Sequence, residues 1–273
     1  LHTSTIYSTY TLDSPDNEGI TESIVFNNNT DDTTGFGPFP PTDKYLCILN
    51  DRSSNKMVKI GSVPTAYPNN PSAVIVKRGN SSVTFGAVAN AWGTGSCYGE
   101  TGAIDSQGNI YVCGKWQDAP LGVGPGQSGL RSCFIAKLDS NLNLLWYRLL
   151  GAGTGSAKLS ISNMLFDHNS LLVSGNFYKQ LDLDYTANTY LIYPADGSAV
   201  LARFDTAANI LWATPYGTLG NVTALGLTTD DDGQIYVSGR IADNVDLEPG
   251  SGISYFQHFC QNSSLGYVSK FSS

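Results

Sequence analysis

The sequence predicts an all-β protein made of repeated four-stranded antiparallel units, and three observations carry that prediction. Asn109-Ile110-Tyr111-Val112-Cys113-Gly114 returns as Ser170-Leu171-Leu172-Val173-Ser174-Gly175 and again as Gln234-Ile235-Tyr236-Val237-Ser238-Gly239, a period of about 60 residues. Short runs of Val, Ile, Leu and aromatic residues are separated by Asp-Ser-Gln-Gly, Asp-His-Asn and Asp-Asp-Asp-Gly turns, the pattern of antiparallel meanders. No sustained apolar stripe of period 3.6 runs through the chain, so helix is expected to be scarce.

The segment at Asn109 is the second strand of its unit. A first strand ending in a turn precedes each copy, at Gly102 to Ser106, Ser162 to Asp167 and Leu225 to Asp230. The third strand reads Phe134-Ile135-Ala136-Lys137-Leu138-Asp139, then Val200-Leu201-Ala202-Arg203-Phe204-Asp205, then Tyr267-Val268-Ser269-Lys270-Phe271-Ser272. A fourth follows at Asn143-Leu144-Leu145-Trp146 and Asn209-Ile210-Leu211-Trp212.

Nearer the N-terminus, Ala73 to Gly79 aligns with the third strand and Ser82-Val83-Thr84-Phe85 with the fourth. The connector Gly93-Thr94-Gly95-Ser96 returns as Gly153-Thr154-Gly155-Ser156. Reading backwards, Tyr45-Leu46-Cys47-Ile48 takes the second place and Glu22 to Phe26 the first. The expected units are 20–90, which is degenerate, 91–151, 159–217 and 222–273.

The chain reaches Ser273 directly after the third strand of its last unit. Thr5-Ile6-Tyr7-Ser8-Thr9-Tyr10 has the alternation of a fourth strand, with Tyr7 in the place of Phe85, Trp146 and Trp212. Residues 4–12 are therefore expected to act as a displaced fourth strand.

Radial repetition of four-stranded sheets makes a β-propeller. The expected fold is a propeller of four four-stranded antiparallel blades, the last completed by the N-terminal strand. If that strand returns to its own chain it closes the ring and covers open sheet edges. If it enters a neighbouring copy, the contact is strand addition and propagates head to tail as a filament. The same residues would make the same bonds in both cases.

Only 14% of residues are charged, with 29 Gly and 15 Tyr, which suits an extracellular β-protein rich in tight turns. The 23 acidic residues outnumber 15 basic ones without a Lys/Arg cluster, which argues against nucleic-acid or anionic-membrane surfaces. No apolar run reaches bilayer length. Leu1 opens directly in a polar segment, so a secreted chain whose leader is absent is expected.

Cys47, Cys97, Cys113, Cys133 and Cys260 show no C-x-x-C spacing and no paired histidines, which argues against zinc. Cys47 and Cys113 fall in second-strand places and read as small core residues. Cys97 and Cys260 lie in connectors and are the expected disulfide partners in an oxidising compartment. Asn28, Asn80, Asn221 and Asn262 head Asn-x-Ser/Thr glycosylation acceptors, each in or beside a turn.

The run Gly108 to Gly114, the segment Val245-Asp246-Leu247-Glu248-Pro249-Gly250, then Phe134 to Asp139 and Asn143 to Trp146 together resemble the bacterial SBBP-type β-propeller repeat. The likeness covers residues 100–273 and, more weakly, 20–90. It implies a secreted or surface-attached location and supplies no catalytic residues.

Asp182 and Asp184, with Asp246 and Glu248 at the matching place, are carboxylates at strand spacing of the kind glycoside hydrolysis uses. They recur with the repeat, and their counterpart Leu121 to Gly124 has no acid, so a polar turn is expected. Lys77, Lys137, Arg203 and Lys270 form a fourfold basic set that could hold an anion. Pairing with the first-strand aspartates Asp105, Asp167 and Asp230 accounts for them without a ligand.

Asp230-Asp231-Asp232-Gly233 lacks the spaced ligands and distal Glu of a calcium loop and reads as a hairpin turn. His2, His168 and His258 have no nucleophile motif beside them. Trp92 and Trp116 stand outside the repeated aromatic place and are candidates for stacking on sugar. The sequence thus predicts no catalytic, cofactor or metal residues. The expected function is a secreted structural or interaction protein, partnered by itself or by another surface protein. The alternative is a carbohydrate-binding propeller, lectin-like or glycosidase-like.

Overall fold

The computed structural model describes residues 44–273 apart from 52–55, 65–71, 86–95, 118–131, 151–157, 185, 187, 194–198, 218–220, 243, 248–254, 257–264 and 273. Four antiparallel sheets follow one another as the blades of a four-bladed β-propeller, with no helix among the described residues. Blade 1 holds β1 (Lys44–Asp51), β2 (Lys56–Pro64), β3 (Ser72–Arg78) and β4 (Ser81–Phe85), paired in that order. Blade 2 holds β5 (Ser96–Ile104), β6 (Ile110–Gln117), β7 (Ser132–Leu138) and β8 (Leu144–Leu150), again in order.

Blade 3 pairs β9 (Lys158–Asp167), β10 (Ser170–Tyr178), β13 (Ala199–Asp205) and β14 (Ile210–Tyr216). The short ribbon β11 (Leu181–Asp182) and β12 (Leu191–Ile192) is inserted between β10 and β13. Blade 4 pairs β15 (Asn221–Thr229), β16 (Ile235–Ala242) and β19 (Leu265–Phe271). Its inserted ribbon is β17 (Val245–Asp246) with β18 (Tyr255–Phe256). Thr5, Ile6, Tyr7, Ser8, Thr9, Tyr10 and Glu22 to Phe26 lie outside the described residues.

The recurring glycine of the second strand has a steric cause. Each first strand carries a β-bulge, at Leu46, Glu100, Ser162 and Leu225. Beside the bulge the strands face Gly61, Gly114, Gly175 and Gly239. A Cβ at Gly114 would collide with the carbonyl of Tyr98, at Gly175 with that of Ser160, and at Gly239 with that of Thr223. Such close approach of one backbone to another is a place for glycine.

The turns are fixed by aspartate. Asp105 Oδ1 accepts the amides of Gln107 (3.0 Å) and Asn109 (2.8 Å). Asp139 and Asp205 do the same for Asn141 and Asn143, and for Ala207 and Asn209. These carboxylates supply acceptors that the tight turn cannot provide from backbone alone.

Packing runs from blade to blade through the two faces of each sheet. Val58, Ile60, Val74 and Val76 of blade 1 meet Cys97, Val112, Phe134 and Ala136 of blade 2. The opposite face of blade 2, with Tyr111, Cys113, Cys133 and Ile135, meets Leu159, Ile161, Leu171 and Val173 of blade 3. Leu172, Ala199, Leu201 and Tyr216 of blade 3 then meet Val222, Ile235, Val237 and Tyr267 of blade 4. Strand alternation is what gives each sheet two apolar faces.

Four sequence expectations require correction. All four strands of blade 1 lie within 44–85, so Tyr45 to Ile48 belongs to the first strand and not the second. The second is Lys56–Pro64, whose buried Lys59 takes the place of Val112, Val173 and Val237. Consequently Cys47 is not the counterpart of Cys113; Ile60 is, since each pairs one step before its glycine. Trp146 and Trp212 do share a place, opposite Lys137 and Arg203, but Phe85 pairs with Val74, farther along its hairpin. Finally, Cys97 is not in a connector: it lies within β5, fully buried between blades 1 and 2.

Candidate interaction site on the fourth blade

One charged pair recurs in every blade. Lys137 Nζ lies 3.9 Å from Asp105 Oδ2, Arg203 Nη2 lies 3.1 Å from Asp167 Oδ2, and Lys270 Nζ lies 3.9 Å from Asp230 Oδ2. In blade 1 the member is Arg78, bound to Asp51, and not Lys77. Blade 1 enters its short Gly79-Asn80 turn directly after Arg78, whereas Leu138 follows Lys137 before the turn of blade 2, and Arg78 pairs with Val58 as Lys137 pairs with Tyr111. The basic set is therefore paired with acid and does not form an anion site of free cations.

Its environment changes from blade to blade. Arg78 and Asp51 are 7% and 1% exposed in their side chains, whereas Lys270 and Asp230 are 52% and 33% exposed. Arg78 also donates to the carbonyl oxygens of Gly108 and Ser140 in blade 2, so the next blade covers it. In blade 2 the same face buries Tyr111, which stacks on Phe166 of blade 3 at 5.7 Å and meets Trp146 edge-on at 6.2 Å.

In blade 4 that face has no cover among the described residues. Val268 holds the register position of Val76, Ile135 and Leu201, which are 0%, 0% and 1% exposed, yet Val268 is 73% exposed. Tyr236, Arg240 and Lys270 share its side of the sheet by alternation. Lys270 lies over the Tyr236 ring at 5.2 Å. Its hydrogen bond with Tyr236 is the main reason its ammonium holds its proton above the usual lysine range, and the Asp230 charge adds to it. At the outer edge of the sheet, β19 pairs only with β16 among the described residues.

Asp167 gives the ladder a pH signature. Partial burial pushes its carboxyl up, but the hydrogen bonds and charges of His168 and Arg203 outweigh this and hold it below its ordinary value. A carboxyl depressed in the folded state stabilises the fold above its unfolded value of 3.8, and that contribution is lost as pH falls through the lower folded value. An Asp167→Asn variant is expected to melt below the wild type at pH 7, with the gap closing from about pH 4 downward. Thermal melts across that range measure it, and a constant gap would contradict the assignment.

The remaining candidates are placed as follows. Asp182 Oδ1 accepts the amides of Asp184 (3.0 Å) and Tyr190 (2.8 Å), so it closes the β11–β12 ribbon. Asp246 is buried in β17, and Glu248 lies outside the described residues. Asp230 accepts from the Gln234 amide (2.8 Å) and the Tyr236 hydroxyl (2.9 Å) in its hairpin turn. His168 is an exposed turn residue on Asp167, while His2 and His258 lie outside the described residues.

Asn80 and Asn221 are exposed, in the β3–β4 turn and at the start of β15. Asn28, Asn262 and Trp92 lie outside the described residues, and Trp116 is placed in β6 opposite Cys97 and Ser132. Among the described residues no three His, Cys, Asp or Glu side chains gather as metal ligands, and no helix is long and apolar enough to cross a membrane.

The fold and its ladder of ion pairs define a repeat protein of the β-propeller class. Comparison with protein-family models finds no match, nor does comparison with curated proteins. What distinguishes blade 4 had no signal in the sequence, because Val268 has the same character as the buried residues it replaces.

Proposed function

We propose that the chain is a secreted or surface structural and interaction protein without catalytic activity, and that blade 4 is its docking end. The carrying observation is Val268, 73% exposed at a position buried in the other three blades, on β19, which pairs only with β16 among the described residues. An open sheet edge offers a row of backbone donors and acceptors, and strand addition is the contact that uses them. Residues 4–12, from the same chain or from a neighbouring copy, would supply the strand. The pairings of Lys137 with Trp146 and Arg203 with Trp212 place an aromatic opposite the basic residue, and Tyr7 would meet Lys270 in that role. The likeness to SBBP-type repeats supports the extracellular setting.

The test compares the full chain with a variant lacking residues 1–12 and with Val268→Asp, using light scattering and electron microscopy. In the filament form, both changes are expected to reduce the assemblies to single chains of about 29 kDa. In the self-closed form, the wild type is a monomer and the truncation lowers its melting temperature. A truncated chain with unchanged mass and unchanged melting temperature would refute the assignment of residues 4–12.

A further inference from the structure

We propose that Cys113 and Cys133 form a disulfide that joins β6 to β7 before blades 2 and 3 dock. Their sulfurs lie 3.3 Å apart, on neighbouring strands and on the same face of the sheet. That is roughly 1.3 Å beyond a bonded S–S distance. The register sets Cys113 opposite Ile135 and Cys133 opposite Lys115, so the pair is a diagonal one.

Blade 1 fills the equivalent spot with Ile60 and Val74, and the later blades fill it with small groups. Blade 3 places Ser174 and Ala199 there, and blade 4 places Ser238 and Gly266. Blade 2 alone among these three places two thiols. Neither of the other described cysteines has such a partner position: Cys97 is buried in the seam between blades 1 and 2, and Cys47 lies in β1.

Burial sets the order of events. Both thiols are fully buried between blades 2 and 3, among residues such as Leu159, Leu171 and Val173. Burial also pushes the Cys113 thiol well above its ordinary range, with the neighbouring Cys133 adding to the effect. The thiolate is the reactive species, so the folded protein is a poor substrate for exchange. Oxidation therefore belongs to the stage when the β6–β7 hairpin has formed and blade 3 has not yet covered it.

The co-reactant is a disulfide compound. One cysteine thiolate attacks it, forming a mixed disulfide and releasing one thiol; the second thiolate then attacks the mixed disulfide, forming the Cys113–Cys133 bond and releasing the other thiol. The protein gives up two electrons and two protons, and the oxidant becomes two thiols.

The test refolds the reduced full chain in oxidised and reduced glutathione, then alkylates it in denaturant without reductant and maps its peptides. The expected result is the Cys113 peptide joined to the Cys133 peptide. Recovery of both as alkylated thiols, or a link from either to Cys47, Cys97 or Cys260, would overturn the proposal. A Cys113→Ala/Cys133→Ala double variant gives a second readout. Refolding the wild type under reducing conditions is expected to lower its melting temperature by about 5–10 °C relative to the oxidised form. The double variant should show no such difference; an equal fall in both would overturn the assignment.

Discussion

Gly114→Val is expected to remove a large part of the stability of the fold. The bulge at Glu100 drives the Tyr98 carbonyl against the Gly114 Cα, and the Phe134 ring closes the other side at 2.9 Å from a built Cβ. Neither neighbour is a flexible chain end, so the strands must separate or the bulge must be lost. Losing the bulge would shift the pairing of β5 and turn its apolar side chains away from the seam. Overpacking of this kind destabilises by about 3 kcal/mol or more, against a total of roughly 5–15 kcal/mol for a natural protein. Gly266→Ala is the control. Among the described residues a Cβ there meets the Gly239 carbonyl alone, at 3.9 Å, and is expected to change stability by no more than about 0.5 kcal/mol. Denaturant melts of the two variants measure the difference, and similar midpoints would show that the glycine is not sterically required.

The second large effect is expected at Asp51. Its carboxylate binds Arg78, and both side chains are nearly closed to solvent beneath blade 2. Taking one partner from a buried pair leaves a charge where water cannot reach it, which destabilises by about 3–5 kcal/mol. Asp51→Ala is therefore expected to melt far below the wild type. The same change at Asp230, in the more exposed counterpart of this pair, should lower the melt only modestly, mainly through its lost turn hydrogen bonds, because solvent screens the charge. Asp105→Ala and Asp167→Ala should fall between, following the burial of their pairs. If Asp51 and Asp230 variants melted alike, cover by the next blade would not be what sets the strength of the ladder.

Much of this arrangement was legible because repetition amplifies weak signals. Lys137, Arg203 and Lys270 recur with Asp105, Asp167 and Asp230, and the structure joins each pair. The tie failed in blade 1 for local reasons. The Gly79-Asn80 turn is shorter than the aspartate turn of Asp139 to Asn143, which moved the basic place from Lys77 to Arg78. Lys59 stands in a position that is Val in the other blades, so the second strand did not display an apolar pattern. With that strand hidden, the sequence pattern places Tyr45 to Ile48 in the second strand, one place later than the structure does.

The cysteines show another limit. Placement in connectors pointed to Cys97 and Cys260, but the contact between Cys113 and Cys133 depends on how β6 and β7 align and twist. A separation of 20 residues that includes a long connector carries no such information.

The sequence by itself determined the repeat, the four-stranded antiparallel blade, the aspartate turns and the acid–base pairing, because each is written in short-range spacing that local sterics and hydrogen bonding enforce. Only the tertiary structure decided which face of each blade is covered. Ile135, Leu201 and Val268 are interchangeable as residues, and burial on a sheet face is a property of the neighbour packed against it. Blades built on one repeat can therefore differ in whether the same position is buried or, like Val268, exposed.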